Sequence, residues 1–360
     1  MNILIVTGHP AQVHNFKLVK KELENNGHNV SWMATEKDIS KYLLNRYNIS
    51  YIPLQKPGKS FFSKVYYLLK NTLVCIKFIK EKKIDIIISR VSPYAALAGF
   101  LIKKQHIAFA DTEASGIYDT IFTKFVSSFL TAKSFQRNLR GDQIRFPGNI
   151  ELFYLHPKRF KPDDGILDLL GAGTDAPYSI MRFVSWDAYH DRGLSGFTDA
   201  KKIKAVKEFS RYAKVFISAE KELPSELEPY RVKIPFEKMH DALAFADLFF
   251  GESATMASES AVLGTPGVFL DKTGRGYTDE EEEYGLVFNF KNSLDDQDKA
   301  IAKGVELLTD PDIKSLVRER REKFLQDKID LTAFVAWFIG NYPKSLEIMK
   351  NNPEFQQRFK

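Results

Sequence analysis

Residues 2–7 form a short apolar run that stops at Gly8-His9-Pro10, the pattern of a buried strand entering a turn. Apolar side chains then recur at Phe16, Val19 and Leu23 before Asn26-Gly27, so the spacing predicts a helix over 13–26. Residues 28–33 read as a second strand. The run at 84–89 (IDIIIS) has the continuous apolarity of a parallel strand covered on both faces, and a helix at 94–104 and a strand at 107–110 follow. Strands alternating with helices predict a doubly wound parallel sheet.

The alternation restarts after 148–165 (GNIELFYLHPKRFKPDDG), where prolines and glycines accompany weak periodicity. Strands at 178–185, 215–218, 248–250 and 267–270, with a helix at 254–263, predict a second sheet. From 295 onward the pattern is helical. The expected architecture is therefore α/β. Two Rossmann-like domains at 1–150 and 166–335 are joined by a linker at 151–165 and followed by a helical segment at 336–360. Ligands of such sheets bind at the carboxyl ends of the strands, so a cleft between the domains is the expected place for chemistry.

Composition narrows the class. A length of 360 residues suits two domains, and 44% hydrophobic with 27% charged residues is ordinary for a soluble protein. Cys75 is the single cysteine, which excludes an internal disulfide framework; it reads as core filler in a reducing, cytoplasmic setting. The opening apolar run continues into a polar turn as a first strand does, unlike a signal peptide, and no run reaches transmembrane length. The net charge of +6 suits an anionic small ligand or an anionic membrane surface. Nucleic acid is not an expected partner, since no concentrated basic stripe or reading motif is present.

Four segments carry candidate chemistry. Residues 251–266 (GESATMASESAVLGTP) place small and hydroxyl residues after a strand and at a helix start. Free N–H groups and the positive dipole end there suit a phosphate, with Ser253 and Thr255 as further donors. Glu259 lies about one turn further in, where a carboxylate accepts from a ribose hydroxyl; a capped helix with a Gly-Thr-Pro turn is the plainer account. Gly8-His9-Pro10 and His14 follow the first strand, and His9 is a candidate for proton transfer or for the turn itself. Residues 182–193 (RFVSWDAYHDRG) offer Arg182 and Arg192 to a diphosphate and His190 as an acid, or else form a solvated loop. Asp111 and Glu113 stand at a strand end as a general base or as helix caps. His240, before an apolar helical stretch, is placed to contact a nucleobase or to pack. No metal-ligand spacing is present, and no cofactor is expected. The acidic run at 279–283 reads as a solvated loop face. Residues 61–83 read as a partly buried helix whose lysines snorkel, with contact to the inner face of an anionic membrane as the alternative.

Taken together, GHPAQVHNFK, DTEAS, YLHPKRFKPD, RFVSWDAYHDRG, FISAEKELP and GESATMASESAVLGTP resemble the domain-of-unknown-function family three-five-four. That family sits within the GT-B superfamily of UDP-N-acetylglucosamine 2-epimerases and MurG-type glycosyltransferases. The resemblance implies a nucleotide-sugar site on the second domain, with Ser253, Thr255 and Glu259 on diphosphate and ribose and with Arg182 and His190 beside the diphosphate. It places the acceptor and catalytic face, with Gly8, His9, Asp111 and Glu113, on the first domain. It implies a glycosyltransferase using a UDP-sugar on a sugar or glycolipid acceptor in surface-polysaccharide or glycolipid assembly, without a bound metal. A UDP-sugar epimerase or hydrolase, with Glu113 and His190 in proton transfer, is the second reading, and a non-catalytic nucleotide-sugar-binding scaffold the third. The epimerase segment that carries an acidic residue is here Ser89-Arg90-Val91-Ser92-Pro93, without a carboxylate, which ranks the transferase first.

Overall fold

A computed structural model describes residues 1–56, 58, 60–111, 113, 121–173, 176–184, 196–219, 221–271 and 274–360. The chain divides into two compact units, Met1–His156 with Lys328–Lys360, and Pro157–Asp327.

The first unit runs β1 (Asn2–Thr7), α1 (Pro10–Asn25), β2 (Asn29–Thr35), α2 (Asp38–Arg46), β3 (Ile52–Leu54), α3 (Phe61–Glu81), β4 (Ile86–Ser89), α4 (Pro93–Leu101), β5 (Gln105–Ala110), β6 (Ser128–Ala132), β7 (Asp142–Phe146) and α5 (Leu152–Leu155). Its seven strands are all parallel and lie in the order β3-β2-β1-β4-β5-β6-β7. The order reverses between β1 and β4, which pair Val6 with Ser89 at their carboxyl ends. Ile3 to Val6 and Ile87 to Ile88 are fully buried, as strands covered on both faces must be. Cys75 packs its sulfur 3.7 Å from that of Met33, and burial pushes its thiol up to about 12, so it is an inert core side chain.

The second unit runs α6 (Ile166–Leu170), β8 (Tyr178–Phe183), α7 (Asp199–Phe209), β9 (Lys214–Ala219), α8 (Met239–Phe245), β10 (Leu248–Gly251), α9 (Ala254–Leu263), β11 (Gly267–Leu270), α10 (Gly276–Glu283), β12 (Val287–Phe290), α11 (Leu294–Thr309) and α12 (Ile313–Gln326). Its five strands are again parallel, in the order β12-β11-β10-β8-β9, with the reversal between β8 and β10. Helix α11 reaches α7 closely because Gly304 has no side chain; a Cβ there would lie 2.5 Å from the Phe209 ring at the end of α7.

The chain then returns to the first unit as α13 (Leu331–Gly340) and α14 (Lys344–Asn351). Three features differ from the sequence expectation. Residues 152–155, read as part of a linker, form α5 and are fully covered, because Leu152, Phe153, Tyr154 and Leu155 pack under α1 and α13. The helical end, read as a separate segment from 336, begins its return at 328: Thr332 donates to the Phe153 carbonyl at 2.7 Å, and Tyr342 lies 3.2 Å from the Ser128 hydroxyl. The acidic run at 279–283 also departs from its reading as a solvated loop. It lies within α10, whose period turns Glu281 inward to full burial, where it accepts from the Ser258 hydroxyl.

His106 on β5 is completely buried, with Nε2 2.8 Å from the Ser89 hydroxyl, which in turn accepts the Ser92 N–H at 2.9 Å. Desolvation pushes its imidazole down to about 3. Below about pH 6.5 the unfolded chain therefore binds a proton that the folded chain refuses, and stability is lost as pH falls from there toward 3. The contribution approaches ~1.4 kcal/mol per pH unit at most. His106→Gln, which keeps a polar partner for Ser89, should flatten the fall in unfolding free energy that urea titrations record between about pH 6 and pH 4.5. Identical slopes for the two chains would contradict this assignment.

Candidate functional site

In the second unit the sheet reverses where β8 and β10 lie side by side, and Gly251 at the end of β10 is in register with Arg182. A Cβ on Gly251 would overlap the Arg182 backbone, so only glycine lets the two strand ends approach this closely. The next residue, Glu252, is buried. Its N–H donates to the Arg182 carbonyl at 3.0 Å, while its carboxylate accepts the Val184 N–H at 2.9 Å and the Phe197 N–H. One carboxylate thereby fixes the chain on both sides of 185–195. The sequence pattern did not single out Glu252; its only signal is an acidic residue between a glycine and a helix cap.

Ser253 then caps α9 by accepting the Met256 N–H at 3.3 Å, and the Ser253 carbonyl takes the Ala257 N–H. The amides of Ala254 and Thr255 have no acceptor within the helix, so the positive end of α9 points out of the sheet edge with two donors. Thr255 and Glu259 are four residues apart and share one face of α9. Glu259 is buried, and His240 at the start of α8 meets it, with Nε2 3.0 Å from Oε1. The ring of Phe160 stands edge-on to His240, with centroids 6.2 Å apart. The end of α9 is set by Gly264 in the left-handed region (φ +89°), and Thr265 donates from its hydroxyl to the Leu243 carbonyl, tying α9 back to α8.

The structure thus brings Ser253, Thr255, Glu259 and His240 onto one helix end and its neighbour. Arg182 stands at the adjacent strand end, where its Nη1 donates to the Ser218 hydroxyl on β9 at 2.8 Å. His190 and Arg192 lie outside the described residues.

The first unit gathers a second set along its own carboxyl edge. Gly8 donates its N–H to the Gln12 side chain at 2.7 Å, and His9 is the exposed N-cap of α1, its Nδ1 accepting from Ala11. His14, by contrast, is buried between the rings of Tyr47 and Tyr154, at 5.8 and 5.4 Å. Asp111 is engaged by an ion pair with Arg90, which follows β4. Glu113 accepts the Gln136 N–H at 3.2 Å. Among the described residues, no group of three His, Cys, Asp or Glu side chains is arranged to hold a metal ion.

Residues 1–273 match the family described as Protein of unknown function (DUF354). Solved structures with the same fold include the UDP-GlcNAc 2-epimerase of Neisseria meningitidis bound to UDP-GlcNAc, which is 12% identical over 90% of this chain and 100% of that one, with a TM-score of 0.67. MurG of Acinetobacter baumannii is 16% identical over 94% and 99%, with a TM-score of 0.58. The spinosyn rhamnosyltransferase SpnG, complexed with spinosyn aglycone, is 11% identical over 94% and 100%, with a TM-score of 0.57. These are likenesses of fold, and the fold is the GT-B architecture expected from the sequence. No curated protein matches the sequence.

The close strand approach makes a direct prediction. Gly251→Ala should lower the urea-unfolding free energy by ~1–3 kcal/mol or more, since the added methyl meets backbone, which cannot rotate away. A change within ~0.5 kcal/mol, the range of an unconstrained surface site, would contradict the packing.

Proposed function

Because the chain belongs to the family described as Protein of unknown function (DUF354), built on the GT-B fold, we propose that it is a nucleotide-sugar enzyme, a glycosyltransferase with a UDP-sugar as donor. The observation that carries the reading is the buried Glu259–His240 pair set one turn inside the open N-terminus of α9. The Ala254 and Thr255 amides, the Ser253 and Thr255 hydroxyls and the helix dipole suit a diphosphate. Glu259, held in one orientation by His240, suits the ribose hydroxyls. The rings of His240 and Phe160 suit a base.

In the reaction, an acceptor hydroxyl oxygen bonds to the anomeric carbon as the bond from that carbon to the diphosphate oxygen breaks. The nucleoside diphosphate leaves with the electron pair, and helix α9 with Arg182 stabilises its charge. The hydroxyl proton goes to a base. His9 is the better candidate, because Asp111 would first have to give up its pairing with Arg90. Surface polysaccharide or glycolipid would be the product class. The same placement of Arg90 argues against an epimerase, since the segment that carries an acidic residue in epimerases here supplies a cation.

UDP or its sugars should raise the melting temperature of the natural chain in a concentration-dependent way. Glu259→Ala should lose that shift while keeping a cooperative transition. An unchanged shift in Glu259→Ala, or none with any nucleoside diphosphate at millimolar levels, would overturn the site. His9→Ala should retain the shift but lose ~10²–10⁴-fold in turnover. Incorporation of solvent deuterium at C2 of the sugar would replace the transferase reading with epimerisation.

A further inference from the structure

The first unit carries a surface that this chemistry leaves unused. Helix α3 spans 21 residues and buries Asn71, Thr72, Cys75 and Ile79 against the sheet. Its other side is apolar and open to solvent. Phe61 and Phe62 are 74% and 84% exposed, and Tyr66, Leu69 and Leu73 are 57%, 58% and 66% exposed. Phe62, Tyr66, Leu69 and Leu73 recur at steps of four, three and four, which makes one continuous stripe along the helix. Helix α4 packs beside α3 and ends in exposed Phe100 and Leu101, with Lys103 and Lys104 following. The helix is partly buried, as its sequence suggests, and its open face is apolar as well as lysine-bearing.

The charge around the stripe is predominantly positive. Residues 61–83 contain six lysines and a single acidic residue, Glu81. Lys70 and Lys77 each lie one turn beyond a stripe residue, and Lys70 sits over the Tyr66 ring at 5.7 Å. We propose that α3 docks the protein on an anionic lipid bilayer, lying in the plane of the interface. Aromatic and aliphatic side chains would enter the headgroup–acyl boundary, and the lysines would meet lipid phosphates. Among the described residues no helix is long and apolar enough to cross a membrane, which fits a helix that lies on one. A second copy of the chain is the poorer occupant. Two-fold pairing through this stripe would set its lysine row against an identical one.

The full-length protein should float with vesicles of phosphatidylcholine and phosphatidylglycerol, and bind them at least about tenfold more tightly than phosphatidylcholine alone at low salt. Leu69→Gln with Leu73→Gln should weaken binding to the anionic vesicles by about tenfold or more while leaving circular dichroism and melting unchanged. Lys70→Glu with Lys77→Glu should abolish the preference for anionic lipid. No binding to either vesicle, or equal binding by the natural and leucine-substituted chains, would overturn the proposal. So would a concentration-dependent dimer in sedimentation velocity that the leucine substitutions dissolve, without any vesicle binding.

Discussion

A parallel sheet covered on both faces can offer polar side chains to a ligand only where its strands end, and both units of this protein are built under that constraint. In each, the strand order reverses once, between β1 and β4 or between β8 and β10, and the connections leave a gap at the carboxyl edge there. Gly251 states the constraint most sharply. The strand end beside Arg182 has no room for a side chain, and the backbone contact it permits puts Glu252 and the start of α9 where they are. The cap, the helix end and the buried carboxylates all depend on that approach.

Buried and half-buried polar groups then do the positioning. Glu252 holds two separate backbone segments, Glu259 is held by His240, Ser258 is bonded to Glu281, and in the first unit Arg90 holds Asp111. Burying such groups is poor value as stabilisation, because the desolvation cost offsets most of the attraction. Removing one partner alone leaves a polar group without its hydrogen bond, typically at ~1–3 kcal/mol where the group is buried. These contacts therefore fix local geometry, with the apolar sheets carrying the stability.

Much of this was legible in the sequence, for reasons that differ by element. Helix α9 runs from Ala254 to Leu263 as expected, because Ser253 is a strong cap and Gly264-Thr265-Pro266 a strong stop. The strands β1, β4 and β10 announce themselves as short apolar runs. β3 has three residues and β6 and β7 carry ordinary polar side chains, so their pairing is a product of the sheet and left no local pattern. Composition also misled at 152–155, where flanking glycine and prolines suggest a linker while the four residues themselves are apolar and packed. Glu281 shows the limit of reading charge alone: in a run of five acidic residues, the helical period chooses one to be buried, and only its partner Ser258 tells which. The pairing of Glu259 with His240 joins residues nineteen positions apart, which spacing could not foresee.

On the proposed function, the second unit receives a nucleoside diphosphate at the N-terminus of α9. Amide hydrogen exchange of the full chain, with and without saturating UDP, tests it most directly. Bound UDP should slow exchange at residues 254–257 and at the start of α8 around His240, with that protection lost in Glu259→Ala. Protection confined to other segments, or none at saturating UDP, would contradict it.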